Sequence, residues 1–285
     1  MLGAYYQLTK PRVMYGNLIT TVAGFLFAAQ DSIGWSVLFF TTVGTSLVIS
    51  SACVINNYLD QDIDRKMERT LNRPLITGVV KPKNALIFGI MLLIGGLTIL
   101  YTRTNLWVTG IGIFGYVTYV WLYGALGKRQ SVHGTLIGSI SGAVPILAGY
   151  IAVTNNFDVT ALLLFMALFF WQMPEFYSIS IFRKKEYAKA GIPVSAVVRG
   201  VESTQKQIVA YTILTILCMV ALAFTAKASM TYLIVISLTS AYWLLQTVHG
   251  IQSTQSQIWA RKNFHLCIRV LLIFSFLIAI DTYLV

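Results

Sequence analysis

Residues 52–75 read ACVINNYLDQDIDRKMERTLNRPL, and the rest of the chain is organised around them. The first half closes a long apolar run. The second half gathers Asp60, Asp62, Asp64 and Glu68, four of the ten acidic residues in the chain, within nine positions. Ionisable groups at the end of a membrane helix are rare and usually functional. Asn56, Asp60 and Asp64 recur at i, i+4 and i+8, so on one continuous helix their oxygens form a stripe rising roughly 12 Å, with Asp62 on the opposite side. Three aligned oxygen side chains repel unless a cation joins them. Hard oxygen ligands suit Mg²⁺, an ion that favours sites shared with a substrate's phosphates. Arg65, Arg69 and Arg73 form a second stripe about 100° round the same helix, so an anion would meet metal and guanidinium together. A helix end decorated with salt bridges is the plainer reading, but surface pairs do not require three aligned oxygens. Asn72, Arg73 and Pro74 are expected to end the helix.

Outward from this stretch the chain is apolar: 56% of its 285 residues are hydrophobic and 11% charged, against about 25% charged in an ordinary soluble domain. Repeated apolar runs of 18 residues or more make it an all-α polytopic membrane protein. About nine helices are expected, near 13–30, 36–57, 84–102, 106–126, 134–153, 158–182, 207–226, 230–249 and 266–284, in a single domain covering 1–285. Assigning alternate loops to the two sides puts all Lys and Arg except Arg103 and Lys227 on the side of the N-terminus. The positive-inside rule then makes that side cytoplasmic, with the C-terminus outside. The loops 58–83, 127–133 and 183–206 carry most of this charge and are the expected active-site loops. Charge spread by topology argues against nucleic acid as the partner of this +11 chain.

Cys53, Cys218 and Cys267 lie in apolar runs without C-x-x-C spacing and read as small core residues, not disulfides. The first helix lacks the small-residue cleavage site of a signal peptide, and no Arg/Ser-rich transit segment precedes it, which points to a bacterial inner membrane.

Along the chain, Lys10, Pro11 and Arg12 read as an interfacial anchor at the start of helix 1, followed by an outer turn around 31–34. Tyr116, Tyr119 and Tyr123 close helix 4. An interfacial aromatic belt explains them, and shielding of an electron-poor intermediate is the sharper alternative. Gly134, Gly138 and Gly142 recur at i+4 behind Lys128 and Arg129, the mark of tight helix packing. A second charged constellation follows in 171–193. Glu175 lies inside an apolar run beside Pro174, where an unused carboxyl would be costly. Eleven residues on, Glu186 is expected on the same helical face, near Gln172 and Arg183. The segment 197–207 crosses the cytoplasmic side, Lys227 lies outside, and QIWARKNFHLCIRV connects into helix 9. His133, His249 and His265 show no metal-ligand spacing.

Two acidic constellations on one membrane face, each beside basic residues, frame a metal–diphosphate site opening into lipid. A ligand with a diphosphate head and an apolar tail fits it. The tail gains little by leaving lipid for protein, so selectivity and catalysis come from the head. Metal and Arg/Lys charge would stabilise a departing diphosphate, leaving an allylic cation that needs aromatic shielding and a nucleophile.

The sequence resembles the UbiA superfamily of intramembrane prenyltransferases, and within it the protohaem IX farnesyltransferase (haem O synthase) branch. Asn56, Asp60 and Asp64 match the superfamily motif N-x-x-x-D-x-x-x-D. LTKPRV at 8–13, NNYLDQDIDRKMERT at 56–70, KRQSVHGTLIGSISGAVP at 128–145, and WQMPEF with FRKKEYAKAGIP within 171–193 are blocks of the haem branch. The resemblance runs over nearly the whole chain, in order. It implies nine helices around a central cavity, a cytoplasmic active site, and transfer of the farnesyl group of farnesyl diphosphate to a vinyl group of haem b, with Mg²⁺ as cofactor and addition of water. By the same resemblance Asn56, Asp60 and Asp64 hold the metal–diphosphate. Arg69, Arg73, Lys128, Arg129, Arg183 and Tyr123 are substrate-binding candidates, and Glu186 is a second-motif acid. The lipid bilayer is the surrounding medium, and docking with a haem-receiving enzyme stays open. Two positions depart from the branch: Glu175 stands where His usually follows Gln-Met-Pro, and Ile146 where a second Pro is common. Glu175 is either a metal ligand or a base that deprotonates water. Competing readings are a UbiA-type enzyme acting on an aromatic quinone precursor and a cation-coupled transporter. Clustering of the acids at one face, not at the midplane, disfavours transport.

Overall fold

The apolar runs fold into helices from one end of the chain to the other. The computed structural model describes residues 1–30, 32–225, 228–252 and 255–281. A short α1 (Leu2–Leu8) precedes α2 (Pro11–Ala29). Next come α3 (Trp35–Leu59), the single turn α4 (Gln61–Asp64), α5 (Pro82–Arg103) and α6 (Leu106–Val117). A π-helical stretch, Thr118–Gly127, carries α6 into the turn α7 (Lys128–Gln130). The second half holds α8 (Gly134–Thr154), α9 (Val159–Phe182), α10 (Lys184–Ala190), α11 (Ser195–Val198), α12 (Val201–Thr225), α13 (Met230–His249) and α14 (Ser256–Ile280). Among the described residues nine helices, with Leu106–Gln130 taken as one, are long and apolar enough to cross a bilayer. They correspond one to one with the nine expected runs. Asp31 of the expected outer turn, Lys227 and the last residues of the expected run 266–284 lie outside the described residues.

Two boundaries move. α12 begins at Val201 where a loop was expected up to 207, because Thr204, Gln205 and Ile208 form a buried stripe. α14 begins at Ser256, well before 266. Trp259, Ala260, Asn263 and Cys267 supply its inward face while Arg261 and Lys262 stay exposed. A basic stretch that hydropathy reads as a connection is thus an amphipathic first part of the helix.

The bundle's two ends differ. At one end the connections are short, and side chains close three helices: Asn105 accepts from Val108 N, Asp158 from Ala161 N and Ser229 from Tyr232 N. Each cap is worth about 1 kcal/mol. At the other end lie the long segments 60–81 and 183–200. α3, at 25 residues, reaches roughly 37 Å, beyond a hydrocarbon core of about 30 Å. It is long enough to carry its last turn beyond the apolar layer at that end.

Glycines set the helix spacing. α2 crosses α8 so closely that a Cβ on Gly149 would stand 1.9 Å from Thr21 O, and one on Gly24 would stand 2.2 Å from Ile146 O. The expected Gly134, Gly138 and Gly142 stripe does pack tightly, against Gly127 O, the Tyr123 ring and the Gln172 amide. Phe27, Ile146, Trp171, Trp243 and Phe274 belong to the main apolar core. All three cysteines are free, as expected. Between α2 and α14 runs an apolar groove of about 690 Å³, lined by Tyr15, Leu18, Ile19, Leu272, Ser275 and Phe276 among others.

Candidate active site

The oxygen stripe sits where α3 gives out. Asp60 is the C-cap of α3 with φ −87 and ψ 6, and α4 resumes behind it. The i→i−4 hydrogen bonds still run through the break, Asp60 N to Asn56 O at 3.0 Å and Asp64 N to Asp60 O at 2.8 Å. The three side chains therefore stay on one side despite the break. Asn56, Asp60 and Asp64 are 2%, 1% and 3% exposed, while Asp62 faces out, as the spacing requires.

The expected arginine stripe does not form, because the helix stops at Asp64 and not near Asn72. Thr70 Oγ1 donates to the carbonyls of Asp64 and Met67, turning the chain back. In this polar run only Ile63 and Met67 have an apolar destination, a cluster with Ala190 and Ile192 that Tyr187 covers. That cluster fastens the first charged constellation to the second. Arg65 is left exposed. Arg69 approaches Glu186 at 3.9 Å, and Arg73 folds back onto Asp64.

Basic side chains from three parts of the chain meet the stripe. Lys10 Nζ donates to Asn56 Oδ1, Lys128 Nζ to Asp60 Oδ2 and Arg73 Nη1 to Asp64 Oδ2, each at 2.5 Å. Lys10 is thus no interfacial anchor. Burial is the main force that draws its ammonium down to about 8. Burial likewise raises the Asp64 carboxyl, outweighing Arg73. Arg129 forks onto Asp62 at 2.7 and 2.8 Å and donates to Leu59 O, tying α7 to the end of α3. Those hydrogen bonds hold exposed Asp62 down at about 2.

The tyrosines face inward instead of forming a lipid-side belt. The π-helical winding changes the phase of the helix after Val117, and π turns are rare and frequent at functional sites. Tyr119 and Tyr123 pair at 5.7 Å, with Tyr123 against Gly138 and within electrostatic reach of Asp60 and Arg69. Gly124 lets this wall approach Asn56 Nδ2, to which a Cβ there would lie at 3.4 Å. Tyr187, unmarked by spacing, also lies among Arg69, Tyr123, Lys128 and Arg183, and burial raises its phenol.

Glu175 and Glu186 do not share a face. α9 ends at Phe182 and Arg183 turns the chain into α10. Glu186 accepts from Arg183 at 2.8 Å. Glu175 stays in α9, where its electrostatic neighbour is the Cys267 thiol of α14. Gln172 turns to α8 and donates to Ser139 O.

The donor set fits a magnesium ion. Asp60 Oδ1 is buried without a hydrogen-bond partner among the described residues, beside two further oxygen side chains. Among the described residues no three His, Cys, Asp or Glu close a cage alone. One or two carboxylates completed by phosphate oxygens is how Mg²⁺ is usually held.

The model of the UbiA prenyltransferase family matches residues 17–268. The chain is 46% identical over 278 residues to protoheme IX farnesyltransferase 2 of Chromobacterium violaceum, covering 97% of this chain and 92% of that protein. It is 42% identical over 281 residues to protoheme IX farnesyltransferase of Cronobacter sakazakii, covering 99% and 95%. Among solved structures, digeranylgeranylglyceryl phosphate synthase superposes with a TM-score of 0.84 at 18% identity, over 100% of this chain and 99% of that one. A UbiA homologue of Archaeoglobus fulgidus bound to DMAPP and Mg²⁺ gives 0.73 at 16% identity, over 96% and 98%. At such identities these two likenesses speak for the fold.

Proposed function

The chain belongs to the UbiA prenyltransferase family, and from that premise we propose that it transfers the farnesyl group of farnesyl diphosphate to a vinyl group of haem b. Water adds in the same reaction, and the products are haem O and diphosphate. The relatives that share more than two fifths of its residues over nearly its whole length carry the name of this activity. The observation that carries the site is the buried stripe of Asn56, Asp60 and Asp64, with one Asp60 oxygen free of hydrogen bonds, 4.0 Å from Arg129, and Lys10, Lys128 and Arg73 around it.

Asn56, Asp60 and Asp64 would hold magnesium, and the chemistry it supplies there is charge stabilisation of the departing diphosphate. Lys128, Arg73, Arg69 and Arg183 orient the diphosphate oxygens. Glu186 keeps Arg69 and Arg183 turned to this side, and Arg129 holds α7 in place through Asp62 and Leu59. As the C1–O bond of the prenyl diphosphate breaks, the rings of Tyr119 and Tyr123 shield the allylic cation. The vinyl group supplies the electron pair for the new carbon–carbon bond. Water adds to the adjacent carbon, and Glu175 takes its proton. The apolar groove between α2 and α14 offers an apolar tail a place on the bilayer side. The charge pattern supports a cytoplasmic site end and an outer C-terminus, in a bacterial inner membrane.

Mass spectrometry of haem after incubation of the purified protein with haem b, farnesyl diphosphate and Mg²⁺ tests this reading. A product heavier by farnesyl plus water, absent with Asp64→Asn and without metal, is the expected result. Unmodified haem from folded protein would move the acceptor to an aromatic quinone precursor.

A further inference from the structure

Each oxygen side chain of the stripe already holds a cation, and each cation comes from a different segment. Lys10 precedes α2, Lys128 opens α7, and Arg73 lies in the turn behind α4. Lys10 reaches Asn56 with its backbone at φ 50 and ψ 67. A residue with a side chain holds that left-handed conformation only when its surroundings impose it, and such strain collects at functional sites.

A divalent metal and an ammonium repel each other across a poorly hydrated pocket, so a metal reaching these oxygens must displace the cations. A diphosphate gives them acceptors of equal or greater strength. We propose that Lys10, Lys128 and Arg73 are exchangeable counter-ions. They neutralise the stripe, and they pass to phosphate oxygens when a divalent metal takes the stripe over. Metal and diphosphate therefore bind strongly only together. This rests on the reading of Asn56, Asp60 and Asp64 as metal–diphosphate ligands. Charge supports it: with Arg129, which lies 4.0 Å from Asp60 and pairs with Asp62, four cations face three carboxylates, so the cluster is positive on balance. A lone divalent metal adds to that excess, whereas a metal–diphosphate ester brings a net negative charge. Lys10 is on this account a positioning residue for both ligands, although its own partner is neutral.

Two affinities measured on the full chain in detergent micelles test the exchange. One is that of Mn²⁺ alone, read by electron paramagnetic resonance. The other is that of unreactive farnesyl thiolodiphosphate at saturating Mg²⁺, read by calorimetry. Lys128→Gln and Lys10→Gln should each tighten Mn²⁺ and weaken the thiolodiphosphate, both by about tenfold. A merely damaged site would weaken both. Lys10→Gln strands no charge, so it decides the matter if Lys128→Gln fails to fold. Mn²⁺ affinity unchanged or weaker in a folded lysine variant overturns the exchange. Asp60→Asn should lose both ligands. If it loses neither, the failure is in the assignment of the stripe.

Discussion

Lys128 Nζ lies 2.5 Å from Asp60 Oδ2, a contact spanning 68 residues at a carboxylate only 1% exposed. The two halves of this pair answer differently to removal. Asp60→Asn keeps an oxygen for Lys128 to donate to, and Lys128 retains some access to water. The variant should stay folded while turnover falls by roughly 10³-fold or more, since charge stabilisation of the leaving group is lost. Lys128→Met instead leaves a buried carboxylate with only Arg129, 4.0 Å from its other oxygen, which costs up to about 3–5 kcal/mol. Thermal unfolding in detergent should rank Lys128→Met clearly below Asp60→Asn, and the haem product assay should find Asp60→Asn inactive. An active Asp60→Asn protein would falsify the role given to the stripe.

Tight helix crossings predict a second ranking. The Cβ of Gly149→Ala meets the Thr21 carbonyl at 1.9 Å, and that carbonyl is backbone of a packed helix. The Cβ of Gly142→Ala meets Gln172 Oε1 at the same distance, but that atom ends a side chain that can turn aside. Gly149→Ala should therefore cost about 3 kcal/mol or more through overpacking against fixed backbone, and Gly142→Ala at most the two buried hydrogen bonds of the Gln172 amide, to Ser139 O and Leu168 O, about 1–2 kcal/mol. Melting temperatures of the two variants check the order. Equal stability would mean that α2 and α8 have room to move apart.

What sequence reading reached, and where it stopped, follows from which interactions are local. The nine helices were legible because each carries its own apolar run. The stripe of Asn56, Asp60 and Asp64 was legible because i+4 spacing survives the break at Asp60. The arginines at the same spacing misled, since Thr70 and Met67 turn the chain before their helix can form, and that turn depends on a cluster with Ala190 and Ile192 far along the sequence. Lys10 looked like an anchor because nothing local records its contact 46 residues away. Tyr119 and Tyr123 fit a belt because interfacial tyrosines are common, and the π winding around them leaves no mark in the residue spacing.

Metal removal should abolish activity without unfolding the site. Asp60 and Asp64 carry Lys128 and Arg73 as internal counter-ions, so folding does not depend on an external cation to neutralise them. A chelator should lower farnesyl transfer by roughly 10²-fold or more, Mg²⁺ should restore it, and the melting temperature should not change. A large drop in melting temperature on chelation would show that the protein's own cations do not balance the stripe.

Glu175 lies between two fastenings of α9 to α14. One turn before it Trp171 Nε1 donates to Cys267 O at 2.9 Å, and about one turn after it Ser178 Oγ accepts from Asn263 at 2.9 Å. Glu175 itself has no hydrogen-bond partner among the described residues. A half-buried carboxyl on an apolar helix, between neighbours that are both paired, supports the proposed proton transfer over packing. In the proposed role of base for water addition it would act after the diphosphate is bound. Glu175→Gln should thus leave farnesyl thiolodiphosphate affinity within about twofold while lowering haem farnesylation roughly 10²–10⁴-fold. Glu175→His should recover much of the loss, because imidazole also accepts a proton and His is usual here in the haem branch. If Glu175→Gln instead weakens the thiolodiphosphate, Glu175 belongs with the metal ligands. If it changes neither quantity, the proton leaves by another route and the departure from His is neutral to the chemistry.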